Sequence, residues 1–168
     1  MSTEQLFYKL SRDLGNNLKK KHKIITFVES CTGGWISKVI TDVAGSSAYF
    51  QKAFITYSDD AKHDMLGINK TILSKYGAVS KEVVIDMSKK ALVIANADFS
   101  LSVSGIAGPN SNANLKPIGM VWFAISRKSF FNHPVIRTYC CYFKGNRFQI
   151  RRQAVIFSLK KLLKEIKI

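Results

Sequence analysis

Leucine recurs at every fourth position near the start of the chain, at Leu6, Leu10, Leu14 and Leu18. That spacing lines one face of a helix and predicts one over Ser2–Lys21. Ser2 and Gln5 have the separation of a reciprocal N-terminal cap, and Lys19, Lys20, Lys21 and Lys23 crowd the far end, where cations suit the helix dipole. The pattern then changes. Ile24–Val28 is a short apolar, β-branched run, predicting a buried strand, and the small-residue loop Glu29-Ser30-Cys31-Thr32-Gly33-Gly34 leads into a helical stretch, Trp35–Val43. Tyr49–Tyr57 alternates and predicts a second strand. Ser58 caps a short helix that stops near Gly67, with Asp59 and Asp60 in its first turn, and Thr71–Tyr76 predicts another. Ser80 caps a longer helix over Lys81–Ala95, whose Val83, Met87 and Ala91 share a face. Asp98–Ser104 alternates as a strand. Ile118–Ser126 and Pro134–Phe143 predict two strands joined as a hairpin. The last helix, Arg147–Ile166, carries its stripe at Val155, Leu159, Leu162 and Ile166. Helices between strands in the first half and a hairpin in the second predict an α/β fold, a mixed sheet with helices on both faces.

At 168 residues the chain is long enough for one domain with a real core, and a single domain over 1–168 is expected. Charge changes the picture more than size does. Lys and Arg number 26 against 11 Asp and Glu, a formal net charge of +15. An anionic partner accounts for such a surface, and a phosphorylated small molecule is preferred to nucleic acid. The chain lacks the interleaved aromatic and basic residues of a single-strand binder. The bland alternative is a surface whose charge serves solubility. No apolar run approaches the roughly 18 residues of a membrane span, so no membrane partner is expected. The N-terminus lacks the apolar core of a signal peptide, so the cytoplasm is the expected location. Cys31, Cys140 and Cys141 have neither metal-ligand spacing nor an even disulfide count, and reduced thiols fit that compartment. No metal and no cofactor are implied.

Of the catalytic chemistries, those needing histidine are poorly served. His22, His63 and His133 pair with no evident Ser or Cys motif. Serine with lysine remains. The stretch Gly45–Lys62 places Ser46 and Ser47 on a small-residue turn and Lys62 one strand later, where the two types can meet and make a nucleophile without histidine. Such a lysine must lose its proton near neutral pH, which burial promotes. The serine needs backbone N–H donors for the oxyanion. Three small-residue segments qualify: the loop after Glu29 with Ser30, Thr32 and Gly33, the Gly45 turn, and the long loop Gly105–Pro117 with Gly105 and Gly108. The first also has the strand–loop–helix form of an anion site.

Six motifs occur in order: VESCTGGW (Val28–Trp35), TDVAGSSAYF (Thr41–Phe50), FITYSDDAK (Phe54–Lys62), YGAVS (Tyr76–Ser80), SGIAGPN (Ser104–Asn110) and KPIGMVWFA (Lys116–Ala124). Together they resemble the nicotinamide-nucleotide amidohydrolases, the family of the CinA C-terminal domain. The resemblance implies a three-layer α/β/α sandwich, usually a homodimer, that hydrolyses the carboxamide of nicotinamide mononucleotide. It implies Ser47 as nucleophile and Lys62 as its base, with Tyr57 and Arg147 assisting. Substrate contacts are expected from Arg147, Ser30, Thr32, Gly33, Gly105 and Gly108. The chain departs from the family pattern at Val28, in the stretch NSNANL after Pro109, and at Asn146, where Asp is usual. The last two bear on substrate affinity and on a salt bridge that would orient Arg147. The alternative is a catalytically silent member that binds a nucleotide or a protein.

Overall fold

A computed structural model describes residues 1–111, 116–131 and 133–167. Most of the altered stretch after Pro109, residues 112–115, lies outside the described residues. Helix α1 (Thr3–Lys20) begins with the reciprocal cap expected at its start: Gln5 N–H donates to Ser2 Oγ at 3.2 Å, and Ser2 N–H donates to Gln5 Oε1 at 2.8 Å. Leu10, Leu14 and Leu18 are buried, and Leu6 packs at the margin. Then come β1 (Ile25–Glu29), α2 (Trp35–Thr41), a 3-10 turn at Ser46–Ala48 and β2 (Phe50–Ile55). Three helices follow, α3 (Asp59–Leu66), α4 (Lys70–Tyr76) and α5 (Lys81–Ile94), and then β3 (Phe99–Gly105), β4 (Met120–Arg127), β5 (Val135–Tyr142) and α6 (Arg147–Lys167).

The five strands form one sheet in the order β2-β1-β3-β4-β5. β1 runs parallel to β2 and β3, whereas β4 is antiparallel to both β3 and β5. The mixed α/β/α sandwich is therefore realised. One core joins α1, α2 and α6 to the sheet through Leu14, Leu18, Phe27, Leu101, Phe123 and Leu159, among others. The opposite core joins Val28 and Phe54 to Leu66, Leu73, Val83 and Met87 of α3, α4 and α5. Strand β3 shows why the two layers differ. Phe99, Leu101 and Val103 face the first core, while Ser100, Ser102 and Ser104 alternate with them. The small side chains let α5 approach closely. The Ser102 hydroxyl donates to Val84 O at 2.5 Å, and Ser88 and Ser126 share a hydrogen bond at 2.7 Å.

Strand ends fall inside the expected ones where the backbone has other partners. Tyr49 caps the 3-10 turn instead of opening β2, and its ring is fully buried. β4 begins at Met120 because Gly119, at φ 92°, passes so close to Phe143 O that no Cβ fits.

A glycine inside a helix ordinarily costs about 1 kcal/mol relative to alanine, but Gly15 of α1 lies against Tyr49. A Cβ there would fall 2.5 Å from the Tyr49 hydroxyl and 2.6 Å from its ring carbon Cζ. Overpacking outweighs propensity, so Gly15→Ala is expected to destabilise the fold by about 1–3 kcal/mol. A lower urea midpoint at unchanged slope is the expected result, and a raised midpoint would show that the ring yields freely.

Candidate active site

Because β1, β2 and β3 are mutually parallel, their C-terminal ends open onto one edge of the sheet, where ligands gather in open α/β folds. The segments leaving those ends line a cavity of about 300 Å³: Ser30 and Cys31 after β1, Tyr57 and Ser58 after β2, and Gly105–Gly108 after β3. Lys62 and Arg147 also line it.

Lys62 is 1 % exposed. It lies in α3, whose N-terminus is capped by Ser58, and its side chain turns back to the end of β2. Nζ donates to Thr56 O at 3.1 Å and to Ser58 O at 3.3 Å, and lies 3.4 Å from Ser30 Oγ. Asp59 Oδ1 is 3.6 Å away but largely exposed. Burial pushes the ammonium pKa below its ordinary value, and the Asp59 carboxylate opposes that shift. The neighbouring thiol is no rival nucleophile, because burial pushes Cys31 up to about 12.

Ser47 is not at this site. It is exposed in the 3-10 turn that precedes β2, whereas Lys62 follows that strand. Six residues of strand at about 3.3 Å each separate the two ends by roughly 20 Å. The turn Gly45–Ala48 packs near Lys19 at the end of α1 instead. The structure brings Ser30, not Ser47, to the lysine.

The anion-binding expectation for the loop after Glu29 is also corrected. The N–H groups at the start of α2 already hold an anion, the Glu29 side chain. Glu29 is fully buried. Its Oε2 accepts from Gly34 N–H and Ile36 N–H, each at 3.0 Å, and its Oε1 accepts from Ser37 N–H at 2.8 Å and Ser37 Oγ–H at 2.7 Å. Thr32 and Gly33 therefore shape the loop behind the cavity and do not line it. Gly33 adopts φ 59°, which suits glycine in so tight a turn.

Arg147 NH1 donates to Gly108 O at 2.8 Å and NH2 to the Tyr57 hydroxyl at 2.6 Å, so one guanidinium ties together the ends of β2, β3 and α6. The Asn146 side chain turns to the start of α6 instead. It caps α6 reciprocally with Gln149, Gln149 N–H donating to Asn146 Oδ1 at 3.0 Å and Asn146 N–H to Gln149 Oε1 at 2.8 Å. Gly105 and Gly108 are required small: a Cβ on Gly105 would meet Val121 at 2.6 Å, and Gly108 sits at φ 82°.

Sequence reasoning missed two groups. Glu29 was read only as the loop's first residue, although an acid between an apolar strand and a helix start is a signal for an internal cap. Arg151 is one of several cations on α6, and nothing in the local pattern sets it apart. It donates from Nε to Cys31 O at 2.9 Å and from NH2 to Thr32 O at 2.8 Å.

A family profile described as the CinA C-terminal domain matches residues 7–166. The chain is 44 % identical over 160 residues to the nicotinamide-nucleotide amidohydrolase PncC of Escherichia coli strain K12, covering 95 % of this chain and 94 % of that protein. It is 37 % identical over 152 residues to a CinA-like protein of Endomicrobium trichonymphae, but spans 34 % of that longer protein. Among solved structures, a CinA superfamily protein from Klebsiella pneumoniae 700603 superposes with a TM-score of 0.90 at 29 % identity over 99 % of both chains. The competence/damage-inducible protein of Agrobacterium tumefaciens superposes with a TM-score of 0.88 at 32 % identity, over 97 % of this chain and 96 % of that one.

Glu29→Gln keeps the shape but turns one oxygen into an NH₂ that faces N–H donors. With the NH₂ in place of Oε2 the Gly34 and Ile36 bonds are lost; in place of Oε1 the Ser37 N–H bond is lost, the Ser37 hydroxyl being able to turn and accept, and in either setting donor meets donor. The expected cost is about 3 kcal/mol, read as a lowered urea midpoint. A midpoint within error of the parent would mean the carboxylate is not what holds this loop.

Proposed function

The chain belongs to the CinA C-terminal domain family, and from that premise we propose that it is a nicotinamide-nucleotide amidase. It would hydrolyse the carboxamide of nicotinamide mononucleotide to nicotinate mononucleotide and ammonia, in pyridine nucleotide recycling. The 44 % identity to a nicotinamide-nucleotide amidohydrolase over nearly the whole chain supports the substrate. The observation that carries the chemistry is the buried Lys62 amine 3.4 Å from the Ser30 hydroxyl. In this reading Ser30 takes the nucleophile's role expected of Ser47.

A neutral amine has two N–H bonds and one lone pair. Thr56 O and Ser58 O accept the two N–H bonds, which leaves the lone pair for the Ser30 proton. Ser30 Oγ attacks the carboxamide carbon as its proton passes to Lys62 Nζ. The ammonium then gives that proton to the leaving nitrogen, the C–N bond breaks, and ammonia departs from an ester on Ser30. Water attacks the ester, Lys62 again accepts a proton, and the carboxylate product leaves with the serine restored.

Arg147 is the group for the substrate phosphate. It spends one N–H each on Gly108 O and the Tyr57 hydroxyl, and a guanidinium has five. Tyr57 holds that guanidinium in position at the cavity wall. The cavity, at about 300 Å³, sits at the small end of ligand sites, about 300–1,000 Å³. The +15 surface would draw an anionic substrate towards it.

Ser30→Ala and Lys62→Met are each expected to lower kcat for ammonia release from nicotinamide mononucleotide by several orders of magnitude, as for other covalent nucleophiles and their bases. Ser47→Ala should stay within about threefold of the parent. The reverse ranking of the two serines would return the nucleophile to the 3-10 turn. Ammonia release by none of the proteins, the parent included, would remove the substrate.

The pH profile follows from the lysine. The reactive form is the free amine, so kcat/KM rises with pH through the depressed Lys62 pKa. The Asp59 carboxylate favours the ammonium, so Asp59→Asn should move the rising limb to lower pH. A limb that stays in place or moves upward would exclude Lys62 as the titrating base.

A further inference from the structure

The loop that carries Ser30 is held from behind by a side chain that never reaches the cavity. Arg151 lies one helical turn beyond Arg147 on α6, and it is not among the cavity-lining residues. Its guanidinium stacks over Trp35, 5.4 Å from the ring centre. From there it forks onto two consecutive carbonyls, Cys31 O at 2.9 Å and Thr32 O at 2.8 Å. In a trans peptide the C=O and N–H point in opposite directions. Drawing Cys31 O towards Arg151 therefore turns Thr32 N–H away from it. Among the described residues, neither Cys31 N–H nor Thr32 N–H has an oxygen acceptor, although both residues are buried. Their neighbours are spent: Ser30 N–H donates to Val103 O and Gly33 N–H to Ser30 O. Of the two, Cys31 lines the cavity directly after Ser30, and an N–H there without an acceptor is what an oxyanion requires.

We propose that Arg151 is a positioning residue, whose fork on Cys31 O and Thr32 O fixes the turn directly after Ser30 and so holds Cys31 N–H, at the cavity wall, as the oxyanion donor beside Ser30. This rests on the reading of Ser30 as nucleophile. The role needs the planar fork, because a lysine ammonium offers a single point charge and cannot bridge two carbonyls with fixed geometry.

The test uses the full chain as Arg151→Ala and Arg151→Lys, with nicotinamide mononucleotide as substrate. Both are expected to lower kcat about 100-fold, the size of losing an oxyanion donor, with KM within about threefold because the substrate is not touched. Added guanidinium ion at low millimolar concentration should restore Arg151→Ala by about tenfold or more, and ammonium ion should not. The proposal is overturned if Arg151→Lys matches the parent, if the loss sits in KM, or if guanidinium restores nothing.

A second readout is independent of the substrate. A fluorophosphonate labels a reactive serine as Ser30 Oγ–P forms, P–F breaks, the serine proton passes to Lys62 and fluoride leaves. Labelling of Ser30 should be slowed about 100-fold in Arg151→Ala and restored by guanidinium. If the parent is labelled but releases no ammonia from the nucleotide, the substrate reading fails while the clamp is still judged by this rate. An unchanged labelling rate overturns the clamp.

Discussion

A carboxylate removed from water must be surrounded by donors or it expels the segment that carries it. Glu29 meets that demand with three backbone N–H groups and the Ser37 hydroxyl, at the point where β1 gives way to α2. The bond set joins the end of the strand to the start of the helix, and so confines Ser30, Cys31, Thr32 and Gly33 between Glu29 and the bonded Gly34. Ser30 therefore leaves the sheet in one direction, towards α3, and the site inherits its geometry from a structural ion that takes no part in the chemistry. The same bonds fill the positive end of α2 from within the chain.

The second constraint is the lysine. Burying an amine with, among the described residues, only an exposed aspartate at 3.6 Å for a counter-charge is costly in the protonated state, and that cost lowers its pKa and favours the free amine. Two carbonyls at the end of β2 absorb its hydrogens. The parallel pairing of β1 with β2 brings those carbonyls beside Ser30. Arg147 and Arg151, one turn apart on α6, close the arrangement from the other layer. One faces the cavity through Tyr57 and Gly108, and the other faces the back of the loop through Cys31 and Thr32.

Much of this was legible in the chain. The Leu10, Leu14 and Leu18 stripe, the Ser2–Gln5 cap and the Ser58 cap report local physics, and each stands where its spacing puts it. Tyr57, Lys62, Gly105, Gly108 and Arg147 were singled out and line one cavity. Which serine lies beside the lysine was not legible, and the cause is specific. Ser47 and Lys62 flank the same strand and look close in sequence. A residue before a strand and a residue after it, however, lie at opposite ends of the sheet. Two residues that follow two parallel strands lie at the same end, and that relation joins Ser30 to Lys62 across 32 positions.

By itself the sequence determined the elements, their order and the residue types available for chemistry, because periodicity, caps and turn residues act over a few neighbours. It also marked a chain rich in cations and poor in catalytic histidine. Tertiary structure decided which serine meets the lysine, that Glu29 rather than a ligand fills the start of α2, and that Arg151 grips the loop from behind. Each of those facts depends on strand direction and on which helix covers which face. Strand direction is set by pairings such as Ile25 with Phe50 and Ile25 with Phe99, between residues far apart along the chain, and no local pattern encodes them.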